Sequence, residues 1–115
     1  MASLRYKTGY KVLTAENKQL YSMITFRPKV RYIRGKSAYP HKGHGPLYVF
    51  KDLELAKYYA NMEPIKQIYE CTYIPSRVRH GWYRRFGRNI CDNIIKKNNK
   101  SKDLASVVKL IKRVA

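Results

Sequence analysis

The 115-residue sequence predicts one α+β domain: a small mixed or antiparallel sheet with two to three helices, the last a C-terminal amphipathic helix packed on the core. Three observations predict it. Short runs in the first half alternate apolar and polar residues with the two-residue period of a strand. Apolar residues after Asp52, from Phe86 and after Ser101 recur at helical three- and four-residue spacing. Hydrophobic residues make up 44% of the chain, enough for one core at this length, and no internal repeat or Pro-, Gly- or Ser-rich linker divides residues 1–115.

Taken in order, Gly9 to Leu13 alternates as a short strand, Ala15 to Lys18 reads as a turn, and Leu20 to Met23 returns as the second arm of a hairpin. Val30 to Arg34 is a strand ended by Gly35. A loop with Pro40, Gly43, Gly45 and Pro46 then leads into the strand Leu47-Tyr48-Val49-Phe50. Asp52 offers an N-cap for a helix carrying Leu53, Ala56, Tyr59 and Ala60, with Pro64 beyond its end. Ile65 to Ile74 carries apolar or aromatic groups on both faces, the pattern of a central strand, and Pro75-Ser76 closes it. Phe86, Ile90, Cys91, Ile94 and Ile95 then suggest a helix. Leu104, Val107, Val108, Ile111 and Val114 suggest another, capped by Ser101.

Charge is distributed unevenly over these elements. The formal net charge of +18 divides into +3 over residues 1–26, +7 over 27–51, −2 over 52–74 and +10 over 75–115. Two cationic blocks flank a nearly neutral middle, and both carry aromatic residues among the cations. That combination suits a polyanion with stackable bases. In the first block Arg27, Lys29 and Arg31 alternate, so an extended chain lines them up at about 7 Å steps, with Arg34 and Lys36 following. In the second, Arg77, Arg79, Arg84, Arg85 and Arg88 fall within twelve residues beside Trp82 and Tyr83, with no acid between them. A guanidinium suits phosphate because its planar fork binds two oxygens and also stacks on rings. The alternative for each block is a solvated surface, with the Pro28-bearing strand an edge whose cations resist aggregation.

Other chemistries find less support. His41, His44 and His80 with Cys71 and Cys91 give no metal-ligand spacing, and the two cysteines read as reduced. The nucleophile-elbow, phosphate-loop and dinucleotide patterns are absent, and the seven acids are scattered. No cofactor, metal or catalytic residue is therefore expected. With no apolar run of signal-peptide or membrane-span length, the expected location is intracellular or in a virion, not secreted and not in a membrane.

The segment Tyr32-x-x-Gly35-Lys36, then Gly45-Pro46-Leu47-Tyr48-Val49-Phe50 with Leu53 and Ala56, then Ile68-Tyr69-Glu70-Cys71-x-Tyr73-x-Pro75-Ser76, resembles a small uncharacterised domain of phages and large DNA viruses. The resemblance covers about residues 32–76. It implies a viral source and the order strand, glycine-bearing loop, strand, short helix, strand. The same order is similar to part of an ADP-ribosyltransferase core. That likeness implies NAD binding with Arg31 or His41, Tyr58 and Glu70 as functional residues, although the E-x-E and Ser-Thr-Ser patterns are missing. The function expected first is nucleic-acid or polyanion binding with little sequence specificity, as DNA or RNA, in a viral or phage accessory protein. A viral assembly protein docking on acidic partners is the second reading, and an NAD-dependent transferase the third.

Overall fold

The alternation at the start of the chain becomes a hairpin, in which Lys7–Glu16 (β1) pairs antiparallel with Gln19–Ser22 (β2). Asn17 and Lys18 between them have φ of 50° and 64°. A two-residue type I′ turn needs two such left-handed residues, and Asn adopts this conformation readily. The computed structural model describes residues 6–22, 30–41, 45–60, 66–85, 88–96 and 99–115, with the backbone alone at 81, 83–85 and 88–94. Arg31–Tyr32 (β3) pairs with β2, and Ser37–Ala38 (β4) and Leu47–Phe50 (β5) follow. Asp52 caps the helix Leu53–Ala60 (α1), its Oδ1 accepting the Glu54 N–H at 2.9 Å. Then come Lys66–Pro75 (β6), His80–Arg85 (β7), Arg88–Ile94 (β8) and Lys102–Arg113 (β9).

Nine strands and one helix among the described residues overturn the α+β expectation of two to three helices. β1 pairs with β5 and β6, and β9 pairs with the same two, so β1, β5, β9 and β6 close a four-stranded barrel. β2 and β3 extend it from β1, and β4 pairs with β9 beyond β5. The main core draws on all four ring strands: Leu13, Leu47, Val49, Cys71, Tyr73, Ala105, Val108 and Leu110. A second cluster, Val12, Phe50, Ala56 and Ile68, lies where α1 covers the other face of β1, β5 and β6. β6 is central, as its two apolar faces imply.

The C-terminal amphipathic helix is instead β9, and its bulges explain the misleading pattern. Ile74 faces Val107 while Pro75 faces Ala105, which leaves Ser106 as an extra residue; likewise Ile111 is extra between Leu110 and Lys112. Each bulge adds one residue and bends the strand, as closure of a small barrel requires. The bulge at Ser106 therefore sets the core positions Ala105 and Val108 three residues apart, and Leu104 and Val107 likewise, the step expected of a helix, while Val108 to Leu110 keeps the strand step of two. Leu104, Val107 and Val108 are buried, but Ile111 and Val114, the rest of the supposed stripe, stand 39% and 36% exposed. The second supposed helix, Phe86 to Ile95, is largely β8, whose Ile90 and Ile94 are β-branched residues at home in a strand.

Two charged side chains, Lys11 and Asp103, are buried among the described residues. Lys11 is 7% exposed, its Nζ donates to the Tyr48 carbonyl, and it lies 5.5 Å from the centre of the Tyr32 ring. The Tyr32 hydroxyl is buried with no hydrogen-bond partner among the described residues. Burial lowers the Lys11 amine to about 8, against a partial rise from the Cys71 thiol; burial likewise pushes Cys71 up to about 12. Between pH 8 and 10.5 the unfolded chain therefore binds more protons at Lys11 than the folded one, so stability rises with pH there. Above about pH 9 the Cys71 thiol, which ionises only in the unfolded chain, works in the opposite direction. The expected net gain is about 1 kcal/mol between about pH 7 and 9 in urea unfolding. Lys11→Met abolishes that gain; a parallel pH profile in the variant would contradict this account.

Candidate nucleic-acid interface

The arginine-rich segment begins where Pro75 ends β6. Ser76 ties the chain back to β9 through its N–H to the Leu104 carbonyl at 2.7 Å, and its hydroxyl accepts the Val78 N–H at 3.1 Å. Arg79 follows, and its guanidinium is already engaged. Nε donates to the Ile95 carbonyl at 3.0 Å, Nη1 to the Ser76 carbonyl at 3.0 Å and Nη2 to Asp103 Oδ1 at 2.6 Å. The Ile95 N–H returns a bond to the Arg79 carbonyl at 2.7 Å, so the two ends of the β7–β8 hairpin are joined at its foot.

Asp103 holds this foot to the barrel. It is 2% exposed and also accepts from the Tyr73 hydroxyl at 2.9 Å and the Leu104 N–H at 2.8 Å. Burial opposes its ionisation, but the hydrogen bonds from Arg79, Tyr73 and Leu104 outweigh burial and keep the carboxyl below its ordinary range. The Tyr73 hydroxyl is correspondingly raised, by burial first and by Asp103 second. The opposite side of the hairpin is fixed at Gly45, whose N–H donates to the Trp82 carbonyl at 2.8 Å. A Cβ at Gly45 would lie 2.5 Å from the Trp82 nitrogen, so the approach tolerates no side chain. Trp82 is half-buried, with its ring 5.3 Å from that of His80.

From this foot β7 and β8 form a two-stranded sheet of their own. Tyr83 faces Ile90, Arg84 faces Asn89, and Arg85 faces Arg88 in the last pair. The spacing of apolar residues from Phe86 places Arg84, Arg85 and Arg88 on the approach to a helix; they occupy the far end of a β-ribbon instead. Like charges directly opposite on an antiparallel pair are destabilising, and the sequence from Tyr83 to Ile90 contains no acid.

The first basic block sits elsewhere. Arg27 and Lys29 lie outside the described residues, so the expected alternating strand is represented only by Arg31, exposed on β3. Arg34 is exposed and donates through Nε to the Ile111 carbonyl at 2.8 Å, and Lys36 is exposed beside the Gly35 turn. Ile111 and Asp103 are eight residues apart on β9, roughly 26 Å along a strand. The two basic segments thus anchor on opposite halves of β9.

The remaining candidates do not gather into a site. His44 lies outside the described residues, and no group of three metal-ligating side chains occurs among them. Cys71 is a free, buried thiol. Tyr58 is 65% exposed on α1, while Glu70 on β6 lies 3.8 Å from Lys112. Asp103 and Lys7 do not stand out in the sequence. The signal for Asp103 was its being one of two acids, with Asp92, in the +10 block; isolated Lys7 offered none.

Comparison with protein-family models, with curated proteins and with solved structures finds no match to this chain. No helix among the described residues is long and apolar enough to cross a membrane.

Proposed function

We propose that this protein binds duplex DNA with little sequence selectivity, using the β7–β8 ribbon as its contact element. The carrying observation is the Arg85–Arg88 pair facing across the ribbon end beside Arg84. Such a pair is repulsive alone and becomes favourable when a polyanion lies against it. A two-stranded β-ribbon fits the major groove of B-form DNA, whereas the narrow major groove of A-form RNA excludes it. Among the aromatic residues with described exposure, Trp82 is half-buried at the foot, and the exposed Tyr6, Tyr39 and Tyr58 lie on other segments.

Fluorescence anisotropy with a labelled duplex tests this. With about five phosphates engaged on a duplex, log affinity falls against log salt with a slope of about −4.5. A slope near zero contradicts the proposal. Equal or stronger binding to polyglutamate of matched charge would favour docking on acidic proteins instead.

A further inference from the structure

At the foot of the ribbon a cleft of about 220 Å³ is lined by Lys7, Pro75, Ser76, Arg77, Arg79 and Asp103. Its size falls below the roughly 300–1,000 Å³ of sites for drug-sized ligands, so it suits one small group. Its charge is defined by subtraction. Arg79 and Asp103 neutralise each other at 2.6 Å. The side chains of Lys7 and Arg77, both exposed, make no hydrogen bond or ion pair with any described residue. Ser76 is 8% exposed, and although its oxygen accepts the Val78 N–H, its own O–H proton has no acceptor among the described residues. The lining therefore presents two unneutralised cations and one hydroxyl donor, with two further guanidinium N–H groups of Arg79.

From these features we infer that the cleft seats the terminal phosphate of a DNA strand. The inference rests on the DNA-binding reading above and extends it to strand ends. A phosphomonoester carries a charge of about −1.5 to −2 at neutral pH, matching Lys7 plus Arg77, while an internal diester carries half as much. Six residues of chain separate Arg79 from Arg85, a reach of roughly 20 Å, or about six base-pair steps. A duplex with its end phosphate in the cleft therefore passes the arginines at the ribbon end within its first helical turn.

The test compares affinities of the wild-type protein for one duplex carrying a 5′-phosphate, a 3′-phosphate or neither, with inorganic phosphate titrated separately. The phosphorylated end binds about tenfold tighter than the hydroxyl end. Lys7→Gln with Arg77→Gln abolishes that preference, while unfolding in urea confirms an intact fold. Arg84→Gln, Arg85→Gln and Arg88→Gln together weaken every duplex and preserve the preference. Equal affinity for phosphorylated and hydroxyl ends overturns the inference while the DNA reading stands. If no duplex binds but wild-type protein alone retains inorganic phosphate, the DNA reading falls and the cleft is reassigned to a free phosphate compound. If neither binds, both fail.

Discussion

Replacing Arg84, Arg85 and Arg88 together by Gln lowers affinity for duplex DNA about a hundredfold near physiological salt and makes the salt slope shallower by about 2.7. The reason is geometric. The three arginines fall in the last two register pairs of the ribbon, with Arg85 directly opposite Arg88. Each phosphate that is no longer neutralised keeps its counterion, which takes about 0.9 off the slope. Since these positions lie on a two-stranded sheet separate from the barrel, unfolding of the barrel by urea is unchanged or slightly harder once the like-charge pair is gone. A variant that keeps the wild-type slope would show that the DNA lies elsewhere.

The largest stability effect belongs to Asp103. Its replacement by Ala costs about 3–5 kcal/mol in urea unfolding, because it strands the Arg79 guanidinium, with only 17% of its side chain exposed, beside an unpartnered Tyr73 hydroxyl. Arg79→Ala is expected to lower stability similarly while shifting the salt slope by less than the value of one phosphate. The double change Arg79→Met with Asp103→Leu recovers much of the loss, since an apolar pair leaves no buried charge. A loss below about 1 kcal/mol for Asp103→Ala would mean that the pair does not hold the ribbon foot. The Asp103 contribution also depends on acid: its carboxyl is held below the usual range, so stability is lost as pH falls through that depressed value.

These two expectations separate what the sequence revealed from what it concealed. Local features were legible: the hairpin at Asn17-Lys18, the strand Leu47 to Phe50, the Asp52 cap and the central strand ending at Pro75 each follow from neighbouring residues. β9 was concealed because the bulge at Ser106 converts a strand period into helix-like spacing. The β-branched residues Val107, Val108 and Ile111 favoured a strand at the same positions, and the barrel context decides between these signals. β8 was concealed because Ile90, Ile94 and Ile95 fit a helical stripe while their pairing partners lie across a hairpin. Among the candidate arginines, Arg79 was indistinguishable from its neighbours until Asp103, 24 residues away, was brought to 2.6 Å. The segregation of charge was legible, but its division between opposite halves of β9 required the fold.

The central claim is that DNA engages the ribbon and its foot, not the cations around Arg31 to Lys36. Backbone amide shifts in NMR, followed during titration with a short phosphorylated duplex, test it most directly. The expected perturbations cluster at Arg77 and along Tyr83 to Arg85 and Arg88 to Ile90, leaving Arg31, Arg34 and Lys36 near their free positions. Perturbations confined to residues 31–36 and the C-terminal half of β9, with the ribbon unmoved, would contradict it.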